Sequence, residues 1–262
     1  MRARALSVGS VLTMSALALS LVVASPATAP AVASSSGYSI ATQRLPDGRT
    51  MIARWNPCQT ITYRVNATLA SSTSSGRVAA IHDVQGAFAR ASAATGLNFR
   101  YAGSTTQIPV NTSQSSWYGR ETSAEIVVAW VNQKTSIRTN LLGTVGGRYA
   151  AGTGGYAYKY WKVGSSPWVG ATGRGFVVID AAQNRSFKPG FGSGATRGAL
   201  LMHEIGHSLG LLHVGATAEV MYPTVLPRSR TAYAPGDLAG LHRLGRAAGC
   251  INTPSWVWSN LS

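Results

Sequence analysis

Three histidines and a glutamate fall close together in the string His203-Glu204-Ile205-Gly206-His207-Ser208-Leu209-Gly210-Leu211-Leu212-His213. His203 and His207 are four residues apart, so on a helix both imidazoles leave the same face at a separation that one zinc ion bridges. Glu204 stands beside the first ligand, where its carboxylate reaches a water on that metal. A helix running on through His213 would aim that side chain elsewhere. Gly210 resolves this, because a glycine takes positive φ, ends the helix and lets the chain turn back toward the metal. The ligand set is then three neutral imidazoles with one coordination position open, which distinguishes a catalytic zinc site from a four-ligand structural one. The chemistry implied is metal-assisted hydrolysis. Zinc acidifies its water and polarises a carbonyl, while Glu204 takes the water proton and passes it to the leaving group.

The elements that must position these residues are legible from periodicity. Leu200, Leu201, Ile205, Leu209 and Leu212 space a long helix from about Ala195 to Leu211. A half-buried strand is expected over Gln59–Val65, where β-branched and polar residues alternate. An amphipathic helix over 76–95 follows, with Val78, Ile81, Val84, Phe88 and Ala91 inward and His82 in solvent; Gly96 ends it. Leu97–Tyr101 reads as a short strand. Ala124–Val131 is apolar almost throughout and is expected in the middle of a sheet, with Gly175–Asp180 as another buried strand. The Gly-rich stretch 143–174 carries Tyr156, Tyr158 and Tyr160 in alternation, the pattern of an edge strand or hairpin. A last helix is expected over Pro235–Leu244.

The zinc string resembles the long signature of the metzincin metallopeptidases. Met221, within Glu219-Val220-Met221-Tyr222-Pro223, is similar to the Met-turn of that clan, most closely in its matrixin form, and Gly236–Gly245 resembles the matrixin closing helix. The resemblance implies an α/β fold of the zincin kind. Its parts are a mixed, twisted sheet with a backing helix and an active-site helix, then a smaller C-terminal subdomain below the cleft. It also implies a structural role for Asp237 in anchoring the Met-turn, and an extended substrate lying antiparallel to an edge strand within Gly154–Tyr160. The segment Pro223–Leu226 would wall the primed-side pocket. The chain departs from the family in several places. No cysteine-bearing latency motif is present, the Asp-rich loops that hold calcium and a second zinc are missing, and Pro223 stands where some relatives place a metal-binding tyrosine. One catalytic zinc and no obligatory calcium are therefore expected; Asp180 alone is not a calcium site.

The chain opens on a short basic stretch and an apolar run from about Leu6 to Ala24, with small residues before Ser34, so residues 1–33 read as a secretory signal and the mature protein as extracellular. An uncleaved anchor is the alternative; no later segment is apolar enough to span a membrane. Residues 34–50 read as a flexible leader and 51–262 as a single catalytic domain. Cys58 and Cys250 are the two cysteines, an even count that in an exported chain favours one disulfide tying the start of the domain to its end. Removing Arg2 and Arg4 leaves 21 of the 23 basic residues against 8 acidic ones, a charge of about +13. The basic residues are scattered singly, which argues against nucleic acid and leaves anionic surface polymers as a possible partner. The sequons at Asn66, Asn111, Asn184 and Asn260 matter only in a eukaryotic pathway, and the Ala, Gly and Arg bias points to a bacterial one. A monomer acting on polypeptides is expected. The rival readings are a zincin-fold surface-binding protein without activity, against which the intact Glu204 counts, and a zinc hydrolase of non-peptide substrates.

Overall fold

The computed structural model describes residues 37–109, 124–132, 142, 144–145 and 148–254. The proposed signal segment and the sequons at Asn111 and Asn260 lie outside them. The principal elements are β1 (Thr60–Asn66), α1 (Ser74–Thr95), β2 (Asn98–Ser104), β3 (Ile126–Val131), β4 (Gly152–Trp161), β5 (Val169–Asp180), α2 (Arg197–Leu209) and α3 (Pro235–Leu244). The strands form one sheet in the order β2-β1-β3-β5-β4. All neighbours are parallel except β4, which returns antiparallel along β5 and forms the edge. This is the mixed sheet of an α/β zincin-like fold.

The two sheet faces follow from the period of two in each strand. Tyr63 and Val65, Trp130, and Val177 and Ile179 point to one side, where α1 and α2 cover them and the main core closes around Phe88, Leu97, Leu201 and Ile205. Val127, Ala129, Val131, Phe176 and Val178 point to the other side and form a second cluster with Leu142. The expected central strand is therefore buried on both faces, as its unbroken apolar run requires.

Helix α1 begins where the Thr73 hydroxyl accepts the Gly76 N–H and ends at Gly96, whose φ of 70° closes the last turn. His82 is exposed, as expected. Val78 is also exposed, at 51%. The inward face is carried by Val84, Phe88 and Ala91, as expected, together with Ala80, Ala87 and Asp83, and Ile81 packs partly buried against the core. Asp83 is there for a reason: its Oδ2 receives Arg197 Nε at 2.7 Å and the Gly190 N–H at 2.9 Å, pinning α1 to the start of α2. Asn66 and Asn184 are both buried and hydrogen-bonded through their side chains to carbonyl oxygens, so neither sequon is accessible.

The segment read as a flexible leader requires correction over 37–50. Ser39–Ile40 pairs with Leu211–Leu212, Gln43–Arg44 pairs with Thr50–Met51, and Ala41, Gln43 and Leu45 are buried. Polar composition concealed these contacts because most of them are made by the backbone. Cys58 and Cys250 form a disulfide with Cα atoms 5.5 Å apart across 192 residues of chain. Asn56 reinforces it by donating to the Ile251 carbonyl at 2.7 Å and accepting the Ile251 N–H at 3.1 Å.

Candidate metal centre and active-site cleft

Helix α2 starts with the Thr196 hydroxyl accepting the Ala199 N–H. It ends at Leu209, two residues before the end expected from periodicity. Gly210 takes φ of 111°, in the left-handed region, and its N–H returns to the Gly206 and His207 carbonyls. Leucines at 211 and 212 continue the apolar pattern past this point, which is why periodicity overran the end. The reversed segment is held by strand pairing of Leu211 with Ile40 and by the Ala41 N–H to the Gly210 carbonyl at 2.9 Å. It returns His213 to the face carrying His203 and His207.

The three Nε2 atoms converge: His203 lies 3.1 Å from His213 and 3.2 Å from His207, and His207 lies 3.1 Å from His213. His203 donates its Nδ1 proton to the Val220 carbonyl at 2.7 Å, and His207 donates its own to the Leu211 carbonyl at 2.8 Å. A carbonyl only accepts, so both tautomers are fixed with the Nε2 lone pair facing the centre. Burial, with the neighbouring imidazoles, pushes His203 down to about 3 and His207 well below its ordinary value, and burial lowers His213 too. Neutral, oriented imidazoles are what a divalent ion requires. Zinc–nitrogen bonds of about 2.0–2.1 Å in a tetrahedron put their nitrogens roughly 3.3–3.4 Å apart, close to this spacing. The donor set therefore fits a zinc ion, and no fourth His, Cys, Asp or Glu joins it among the described residues.

Glu204 is buried on the same helix, against β4. Strand and helix approach so closely that a Cβ on Gly154 would stand 1.9 Å from the Glu204 carbonyl oxygen, and one on Gly152 would stand 2.7 Å from Glu204 Oε1. Burial pushes the Glu204 carboxyl up to about 8, partly opposed by a backbone hydrogen bond from Gly154. Glu204, the three histidines, Gly152–Gly154 and the segment Pro223–Val225 line one cleft of about 430 Å³. Its apolar wall also includes Leu200 and Phe187.

Below the histidines, Met221 is buried and its carbonyl accepts the Val214 N–H at 3.1 Å. Asp237 accepts the Val220 N–H at 2.6 Å, the Met221 N–H at 3.1 Å and the Ala234 N–H at 3.0 Å. Through Val220, whose carbonyl orients His203, the carboxylate at the head of α3 is connected to the metal centre. Glu219 Oε2 in turn accepts the Asp237 N–H at 2.8 Å. Two aromatic donors fix α2 itself: Trp55 Nε1 to the Ser208 carbonyl and the Tyr233 hydroxyl to the Met202 carbonyl.

The matrixin family model matches residues 157–244, a span running from within β4 through the histidine string and Met221 to the end of α3. Over that span the chain is matrixin-like, and matrixins are metzincins. Matrixins are zinc-dependent metallopeptidases, and the histidine triad lies inside the matched span. No curated protein matches the chain. Tyr222 is not among the described residues that line the cleft.

Several residues that shape this matrixin-like site carry no motif. Gly152 and Gly154 had a visible signal, since they share the parity of Tyr156, Tyr158 and Tyr160 and so lie on one strand face from which side chains are missing next to a helix. Phe187 had none; it reaches the site only through tertiary packing.

Proposed function

We propose that this protein is an exported zinc-dependent endopeptidase in which His203, His207 and His213 hold one catalytic ion and Glu204 is the general base. The observation that carries the reading is the convergence of three tautomer-fixed Nε2 atoms in a cleft shared with the buried Glu204 carboxylate. A zinc ion bound there supplies Lewis acidity, polarising a carbonyl oxygen and acidifying water.

The protein's own residues perform the remaining work. Glu204 accepts a proton from the attacking water and delivers it to the amine nitrogen as the peptide C–N bond breaks, so base and acid are one residue. Burial raises its proton affinity toward neutrality, which suits a group that must both take and release a proton. The outer side of β4 pairs with no strand among the described residues, and an extended polypeptide adding to it antiparallel would pass over Glu204. The apolar wall of Phe187, Leu200 and Val225 excludes water from one side of the scissile bond. Export is supported by the Cys58–Cys250 disulfide, which forms and persists in an oxidising compartment.

The test is cleavage of an unfolded generic protein by the purified protein, with and without a zinc chelator, beside Glu204→Gln. Cleavage should vanish with chelator and return with zinc. Glu204→Gln should bind zinc normally and lose at least about 10²-fold in rate. A zinc-loaded wild type that cleaves nothing, or a Glu204→Gln variant as fast as wild type, would sink the proposal.

A further inference from the structure

The β4–β5 hairpin extends well beyond the cleft. Seven residues separate Gly154, packed on Glu204, from Trp161 at the end of β4, about 24 Å at roughly 3.4 Å per residue. The connection Lys162–Pro167 is exposed throughout and closes with the Ser166 N–H on the Val163 carbonyl at 3.0 Å. Val163 at its tip is 64% exposed, ahead of Val78 at 51%, Leu69 at 44% and Leu238 at 42%. Behind the tip stands a half-buried aromatic group. Trp168 meets Tyr160 edge-on at 5.4 Å, Lys162 Nζ lies 5.3 Å from the Trp168 ring, and Trp168 Nε1 donates to Asp47 at 2.9 Å. An apolar tip backed by Trp and Tyr and flanked by a lysine is the arrangement that suits a membrane–water interface.

The charge distribution supplies an independent reason. Of the eight acidic residues, all but Glu121 are described. Asp83, Asp180, Glu204, Glu219 and Asp237 are buried, Asp47 is ion-paired with Arg49 at 2.8 Å, and Glu125 accepts from Thr62. Among the described residues five acids are thus buried and the exposed Asp47 is offset by Arg49, which leaves the described surface with an excess of cations. Such a surface is drawn to anionic headgroups.

We propose that the hairpin tip, Lys162 to Trp168, is an anchor for an anionic lipid surface. Val163 and the exposed edge of Trp168 enter the headgroup layer, and Lys162 meets the anionic groups. A soluble polyanion fits less well, because it satisfies cations but offers nothing to Val163. The distance along β4 leaves the cleft clear of the surface, so an anchored molecule keeps access to substrate. The inference does not depend on the peptidase reading.

The test is flotation of the purified protein with phosphatidylcholine vesicles and with vesicles of equal parts phosphatidylcholine and phosphatidylglycerol. The expected result is binding to the mixed vesicles alone, weakened by salt. Lys162→Gln should lower the partition coefficient about fivefold, the equivalent of roughly 1 kcal/mol per cation near an anionic surface. Val163→Asp should lower it at least about tenfold, from loss of one buried Val side chain. Val78→Asp, the same exchange on the exposed face of α1, should leave it unchanged. Both hairpin positions are exposed, and thermal midpoints equal to wild type confirm that each variant is folded. Binding to neither vesicle would overturn the proposal. So would equal binding by Val163→Asp and Val78→Asp, the signature of adsorption by charge alone.

Discussion

Replacing Gly154 by alanine tests whether the close approach of β4 to α2 builds the active site. The added Cβ would stand 1.9 Å from the Glu204 carbonyl oxygen, 2.7 Å from its carbonyl carbon and 3.0 Å from its Cα. Ordinary contact begins at 3.4 Å, so the shortest of these is deficient by 1.5 Å. Backbone atoms cannot rotate away as a side-chain tip can, so the strand and the helix must separate by more than about an ångström. That displacement falls on the residue proposed as base and on the strand edge proposed to hold substrate. A misplacement of about 1 Å costs on the order of 10²-fold in rate, and overpacking costs about 1–3 kcal/mol in stability. Gly192→Ala is the matched control, because a Cβ there meets nothing within 4 Å. The assay is kcat/KM on a generic protein substrate, with zinc content and urea unfolding measured on the same preparations. Gly154→Ala should retain zinc, lose most activity and unfold earlier, while Gly192→Ala matches wild type. An active, fully stable Gly154→Ala would refute the reasoning, since it would mean that the two elements are not held at this distance.

Other outcomes follow from the supports around the site. Arg197→Met leaves the buried Asp83 carboxylate without its ion pair and should cost about 3–5 kcal/mol in urea unfolding, whereas a surface pair would cost under about 1. Burial pushes the Asp237 carboxyl up to about 6, although three N–H donors pull it down. An acid whose folded pKa lies above its unfolded value loses its stabilising contribution as pH rises. Wild type should therefore lose stability relative to Asp237→Asn between about pH 4 and pH 6; a difference that is flat across this window would contradict the assignment. Cys58→Ser with Cys250→Ser opens a loop of 192 residues. Chain entropy sets the loss at about 5 kcal/mol or less, and an unchanged unfolding midpoint under non-reducing conditions would show that the Asn56 clasp alone holds the ends.

The chemistry of this protein is concentrated in short sequence intervals, and that is why so much of the site could be read before the fold. A four-residue spacing on a helix fixes the relative direction of two imidazoles whatever surrounds the helix, and one glycine suffices to redirect the third. The central strand was equally legible, because burial on both faces leaves polar residues no place in Ile126–Val131. The signals failed where an interaction depends on what lies opposite. Val78 fits the apolar period of α1 yet faces solvent, since the packing partner decides which part of a helix is covered. The segment 37–50 looks unstructured by composition, but its backbone braces the turn at Gly210 that brings His213 home. Glu219 and Asp237 are eighteen residues apart and meet through one backbone hydrogen bond that no local pattern encodes. The proposed ligands are thus local features, whereas their precision is long-range. Val220 links the two: its carbonyl aligns His203 and its N–H is held by Asp237, so a substitution in α3 should reach the metal affinity without touching a ligand.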